Sequence, residues 1–328
     1  MKHKILYLSR ADVEAAGVTM PEIIEALSVA FREHGLGHAE IPPKPGVHSR
    51  PDAFIHAMPA FIPALRAIGV KWVSGYPANE AKGLPYISGL LILNDDDTGL
   101  PLAVMDAGWI TAMRTGAASA LAARYLARPE SATVGILGCG VQGRTNLWAL
   151  KCLFPVKQVI AYDIHPANSA RYAAEMTAHP EIGGAGVTVT PVDAPRAAVT
   201  GCDMMVTAGP ILRIPHATIK QGWLDAGAFA SLVDYDSYWD GPALQEVDKF
   251  CTDDVPQLMY YREHGYFQSI PPIHASLGEL VTGQKPGRET ASERTAACNL
   301  GLALDDMATA PMVYRRAVER GIGVWLEL

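Results

Sequence analysis

The spacing of apolar positions changes along the chain, and each change predicts an element. Thr19-Met-Pro-Glu22 has capping-box spacing, and Ile23, Ile24, Leu27, Ala30 and Phe31 recur at helical intervals before Gly35, so an amphipathic helix packed on one face is predicted there. Between Ile41 and Pro51 four prolines stand beside Lys44, His48 and Arg50, which predicts an extended loop displaying cationic side chains. Runs from Ala67 to Ser74 and from Tyr86 to Asn94 read as strands, and Asp95-Asp-Asp-Thr-Gly99 supplies a turn into a third, Pro101 to Asp106. The first third of the chain thus reads as a helix plus an antiparallel sheet.

The pattern then shifts. Thr111 to Ala127 is Ala-rich and helical, with small residues that allow close packing on a neighbour. Thr133 to Leu137 is a short apolar run of the buried parallel-strand type, followed by Gly138-Cys-Gly140-Val-Gln-Gly143 and a helix from Arg144 to Cys152. Strands at Val159 to Tyr162, Val187 to Pro191, Asp203 to Thr207, Ala228 to Leu232 and Lys249 to Thr252, with a helix near Ala167 to His179, continue the alternation. Strands separated by helices predict a Rossmann-type doubly wound parallel sheet. Glu293 to Arg320 reads as one or two helices interrupted near Pro311, closed by the apolar tail GIGVWLEL. The α/β reading is therefore an NAD-binding Rossmann domain over 129–297 and a second α+β domain from 1–128 plus 298–328, with the active site between them.

Composition narrows the function classes. A formal charge of −7 with scattered Lys and Arg argues against nucleic acid or an anionic membrane as partner and favours a small molecule. The five cysteines are dispersed, with no C-x-x-C pair and no His at metal spacing, as in a reduced cytoplasmic protein without a metal site. Neither a signal-peptide core near the start nor an apolar stretch long enough to span a membrane is present.

Among 30 glycines a lone G-x-G-x-x-G is weak evidence, so the context decides. Here the triplet follows an apolar strand and opens a helix, and Asp163 ends the next strand 20 positions after Gly143. Gly138 would permit the tight turn, Gly140 the approach of a pyrophosphate to the backbone, and Gly143 close packing of helix on strand. The helix N-terminus favours an anion. Asp163 would accept from the adenosine ribose and repel a 2′-phosphate, which favours NAD over NADP. Upstream, Lys71 lies inside the apolar run AIGVKWVSG and Arg114 inside the small-residue helix, where a charge is costly without a partner; an anionic ligand would be one.

The segments MPA at Met58, GVKWVSGYPAN from Gly69, GLPYISG from Gly83, DTGLPLAVMDA from Asp97, TAMRTGAASALAARYLAR from Thr111 and GCGVQGR from Gly138 resemble the ornithine cyclodeaminase and mu-crystallin family over nearly the whole chain. The resemblance implies that Lys71 and Arg114 hold a substrate carboxylate and that Thr115 touches the cofactor phosphates. It also implies a catalytic aspartate after the strand beginning at Gly227, which counts to Asp236, with Asp234 close enough to compete. Tyr86 is a further candidate substrate contact. Val141 and Gln142 in the glycine turn and Thr207 at a strand end are further candidate cofactor contacts. Lys44 stands where the family carries an arginine in the N-terminal loop, and His56 stands where ornithine-specific members carry a glutamate, which disfavours a second ammonium group on the substrate. A homodimer is implied by the resemblance alone.

Hydride can leave an amino-acid α-carbon only after a base frees the amine lone pair, a task for Asp236 or Lys71. The expected activity is an NAD(H)-dependent amino-acid dehydrogenase or imine reductase. A cyclodeaminase that releases ammonia and recycles the cofactor, a lyase, is the alternative, and a mu-crystallin-like ligand-binding protein is the second. His274 and Glu279, the pair Asp253-Asp254 and the aromatic run YYREHGYF near Tyr260 are lesser candidates, the last as a substrate wall or a packed surface loop.

Overall fold

A computed structural model describes residues 3–50 and 52–328. Met1, Lys2 and Pro51, the last proline of the predicted cationic loop, lie outside the described residues. The chain divides into two units, the residues up to Arg114 with Gly301–Leu328, and Thr115–Leu300.

In the first unit, two-residue alternation builds a sheet with one covered face. Its strands are β1 (Lys4–Leu8), β2 (Gly46–Arg50), β3 (Ala53–Ile62), β4 (Ala67–Gly75), β5 (Ile87–Asn94), β6 (Pro101–Asp106) and a closing strand, Val324–Glu327. The order is closing strand, β1, β6, β5, β4, β3, β2, antiparallel throughout except for the parallel β1–β6 pair. Leu6, Leu8, Met58, Lys71, Leu91, Leu93 and Met105 are buried, while Tyr7, Trp72 and Leu90, at the opposite parity, are exposed. The helix Ala303–Arg320 packs on β3, β4 and β5, and helix α2 (Met20–Gly35), preceded by α1 (Arg10–Ala15), packs on that C-terminal helix. The α2 stripe is the predicted one, with all five residues fully buried.

Several expectations are corrected here. Residues 46–50 form strand β2, paired with β3 through Gly46↔His56 and Val47↔Ile55. The proline bias toward extended backbone was legible, but the pairing was not. Strand β3 escaped prediction because Pro59 breaks its pattern. Its missing N–H is tolerated because it falls in the gap between the end of β2 pairing at His56 and the Glu40–Phe61 bridge. Glu293 to Leu302 is not helical: it contains a buried strand, Thr295–Cys298, because a short apolar run carries no period that separates helix from strand. The helix Ala303–Arg320 passes through Pro311 without interruption, held by a largely buried first three turns.

The second unit is an eight-stranded sheet, parallel at every pairing. Its strands are β7 (Thr133–Leu137), β8 (Gln158–Tyr162), β9 (Thr188–Val192), β10 (Met204–Thr207), β11 (Phe229–Leu232), β12 (Lys249–Thr252), β13 (Ile273–Ser276) and β14 (Thr295–Cys298), in the order β13-β12-β14-β11-β10-β7-β8-β9. Strand order reverses about β7, and the crevice beyond the carboxyl ends at such a switch point is where doubly wound sheets bind ligands. Helix α3 (Gly108–Leu126) uses its small residues as predicted: a Cβ on Gly116 would lie 2.5 Å from the Thr145 carbonyl oxygen on α4 (Val141–Leu153). Helix α5 (Pro166–Ala178) packs on β8 and β9. Among the described residues no helix is long and apolar enough to cross a membrane.

Candidate active site

The buried parity of β4 places Lys71 on the covered face of the first sheet, where an ammonium group needs a partner. The chain itself supplies one. Lys71 Nζ lies 2.6 Å from Asp306 Oδ2 and donates to Thr111 Oγ1 at 3.3 Å. Arg114 on α3 reaches the same helix start, with Nη1 3.0 Å from Asp305 Oδ2 and Nε 3.3 Å from Asp306 Oδ1. Both aspartates are fully buried in the first turn of the C-terminal helix, where negative charge is favoured. Sequence reasoning missed them. No local signal marked them, because the cations they meet lie far away in sequence.

Burial and the neighbouring Arg114 lower the Lys71 pKa to about 8, against the opposing pull of Asp306 and Asp305. Lys44 Nζ donates to the Gly301 carbonyl oxygen at 3.0 Å. Gly301 has φ 78°, which favours glycine, and a Cβ there would come within 2.6 Å of Arg114 Nη1, so a larger residue would displace the guanidinium. His56 on β3 stacks on Phe54 with centroids 4.4 Å apart. Desolvation, with Lys44, His48 and Lys71 nearby, lowers its pKa to about 3, which keeps the imidazole neutral. Tyr86 lies just before β5, partly exposed, and its carbonyl oxygen accepts from Tyr76 N–H.

In the second unit Gly138 makes the turn and Gly143 the close packing that their spacing predicts. Gly138 sits at φ 104° against the Ala208 carbonyl, and a Cβ on Gly143 would lie 2.4 Å from the Gly138 oxygen. A Cβ on Gly140 would meet nothing within 4 Å among the described residues, an open cradle at the start of α4, whose N-cap makes no side-chain hydrogen bond. Val141 is exposed beside it, and the Gln142 amide oxygen accepts from Thr145 and Asn146. Thr115 is buried on α3. The half-buried Asp163 carboxylate accepts from Cys139 N–H and His165 N–H, both at 3.0 Å, and so braces the glycine turn.

The segment after β11 carries two buried acids. Asp234 Oδ1 accepts from Thr207 Oγ1 at 2.6 Å, and burial raises the Asp234 pKa to about 7. The Thr207 hydroxyl, expected at the cofactor, is fully buried and donates to this acid. Burial also raises Asp236 to about 6, against backbone hydrogen bonding that includes Phe267. Among the described residues Asp234 Oδ2 and Asp236 Oδ1 have no hydrogen-bond partner.

The lesser candidates have structural employment. Glu279 completes a capping box with Ser276, and His274 Nε2 meets the Pro286 carbonyl oxygen at 2.9 Å. Asp254 caps the helix Val255–Glu263. The YYREHGYF segment packs Tyr261, Tyr266 and Phe267 around Tyr235.

The ornithine cyclodeaminase/mu-crystallin family model matches residues 3–321. Alanine dehydrogenase of Archaeoglobus fulgidus is 35% identical over 330 residues, covering 97% of each chain. Among solved structures, Thermococcus litoralis Delta(1)-pyrroline-2-carboxylate reductase in complex with NADH and L-proline gives a TM-score of 0.87 at 35% identity, covering 98% of this chain and 99% of that one. An archaeal alanine dehydrogenase dimer with bound NAD gives 0.87 at 32%, covering 99% and 100%. Similarity that runs through both units and nearly from end to end shows that this protein belongs to the ornithine cyclodeaminase/mu-crystallin family.

Proposed function

We propose that this protein is an NAD(H)-dependent oxidoreductase of a small amino or imino acid. The observation that carries the reading is the buried pair Lys71 and Arg114, two cations held side by side by two buried aspartates in a member of a family whose similar relatives act on alanine and pyrroline-2-carboxylate. Bound NAD supplies the hydride acceptor at the α-carbon, or as NADH the donor. The open Gly140 cradle and the uncapped start of α4 suit its pyrophosphate, and Gly138, Val141, Gln142, Gly143 and Thr115 are assigned to hold it. Asp163 is assigned to its ribose and Thr207 acts through Asp234.

Arg114, pinned by Asp305, offers a planar guanidinium to the substrate carboxylate, and Lys71 offers a point charge beside it. Lys44, His56 and Tyr86 are assigned to the same substrate. The Asp236 carboxyl at about 6 is ionised at neutral pH and basic enough to take the ammonium proton. Lys71, at about 8, is the second candidate for that step. Neutral His56 offers no negative charge to a second ammonium group, which disfavours ornithine and lysine. The first unit is assigned to substrate binding and dimerisation, and the second to NAD. Five free cysteines fit a reducing cytoplasm.

The test is nicotinamide absorbance with NAD and L-alanine, L-proline, L-ornithine and L-lysine. NADH should accumulate with a neutral substrate, and Asp236→Asn should lower turnover at least about a hundredfold while dinucleotide binding persists. Ammonia release from a diamino acid without NADH accumulation would instead make the protein a cyclodeaminase. Undiminished turnover in Asp236→Asn would move the base to Lys71.

A further inference from the structure

We propose that Tyr235 is a positioning residue whose ring, locked among Tyr261, Tyr266 and Phe267, holds the backbone between two buried acids and thereby fixes the Asp236 carboxylate. The inference rests on the reading of Asp236 as the proton acceptor.

Tyr235 has φ 62°, a left-handed conformation that is costly for a bulky side chain and persists only where surrounding structure enforces it. The enforcement is visible. The Tyr235 ring is buried, with centroids 4.9 Å from Phe267, 5.6 Å from Tyr261 and 5.8 Å from Tyr266. Backbone strain of this kind, placed between two acids of raised pKa, is where a chain gives up stability to aim a functional group.

The path from ring to carboxylate is short. Phe267 packs its ring on Tyr235 and turns its own backbone to φ 54°. Its N–H acts on the Asp236 carboxylate and lowers that pKa against burial. A ring lost at residue 235 frees Phe267, and the hydrogen bond at Asp236 goes with it. The cavity left by the ring would also admit water beside the acid, so the Asp236 pKa should be displaced. The other titratable groups around it are Asp234 on the same segment, and Cys298 at the end of β14 with Asp253 beyond β12. Burial pushes the Cys298 thiol and the Tyr235 and Tyr261 hydroxyls up, which keeps them neutral, so Asp234 and Asp253 are the charges that compete.

The test compares Tyr235→Gly, which adopts a left-handed backbone freely but lacks the ring, with Tyr235→Phe, which keeps the ring, and with Asp236→Asn. The readouts are the acid limb of kcat/KM for amino-acid oxidation and an infrared titration of the carboxylic C=O band that Asp236→Asn removes. For Tyr235→Gly, kcat should fall about tenfold or more with KM changed less than about threefold, and the acid limb and the band should be displaced together by about one unit. Tyr235→Phe should stay near the parent. If Tyr235→Gly does not fold, Tyr266→Ala, which removes one wall outside the acid segment, should show the same displacement on a smaller scale. An unmoved limb and band in the folded ring-deleted variant, with Asp236→Asn inactive, overturns the positioning role alone. Full activity in Asp236→Asn overturns the proton-acceptor reading, and the positioning role falls with it.

Discussion

Asp234 shows at the scale of one residue how burial and function trade against each other. Its carboxyl is pushed from an ordinary 3.8 up to about 7, so the folded chain binds a proton there more tightly than the unfolded chain does. The sign follows: stability from this group is complete below the unfolded value and is lost as pH rises through the folded one. Asp234→Asn keeps an acceptor for Thr207 and removes the charge. It should therefore stabilise the protein on the order of 2–4 kcal/mol at about pH 8 and much less at about pH 5, measured by urea unfolding at both. An equal gain at the two pH values would mean that the Asp234 pKa is not raised in the folded protein.

At the scale of the element, the strand–turn–helix at Thr133 to Leu153 separates two kinds of glycine. An alanine at Gly143 would place Cβ 2.4 Å from the Gly138 oxygen and 3.1 Å from Ile136 Cγ2, so β7 and α4 must move apart. An alanine at Gly140 meets open space, and its φ of −84° suits any residue. Gly143→Ala should lower both the melting temperature and dinucleotide affinity. Gly140→Ala should leave melting nearly unchanged while weakening NAD about tenfold or more, because the methyl group stands where the pyrophosphate is to approach. Calorimetry of NAD binding beside thermal unfolding checks the pair, and unimpaired binding in Gly140→Ala would remove the pyrophosphate from that cradle.

At the scale of the whole molecule, the outer face of the first sheet remains open. Trp72 pairs across strands with Leu90, and Tyr7 and the closing strand's Val324 pair at the same parity, all exposed. An apolar face of this kind marks an interaction surface. If the homodimer proposed above forms, this face is where it would pack. Light scattering should give twice the 35.1 kDa chain mass, and Trp72→Asp should return a folded monomer. A monomeric parent, or a dimer indifferent to Trp72→Asp, would refute the assignment of this face.

The same three scales separate what was legible from what was not. The glycine turn, the parallel strands and the α2 stripe could be read because each rests on short-range rules: a positive φ that favours glycine, an apolar run of strand length, and a 3.6-residue period. Lys71 and Arg114 were legible as charges in apolar surroundings, because a misplaced charge is a property of its own segment. Asp305 and Asp306 were not, since a partner 191 residues from Arg114 in sequence leaves no local trace. Nor were β2 and β3, where hairpin pairing overrode the proline content, or β14, where pairing with strands far away in sequence settled a run that has no period. The sequence by itself determined the fold class, the glycine turn and the two cations set in apolar surroundings. Tertiary structure alone decided which acids hold those cations, that Thr207 serves Asp234, and that Tyr235 sits strained between two buried carboxyl groups, because burial and long-range contact, which set pKa and orientation, exist only once the chain has folded.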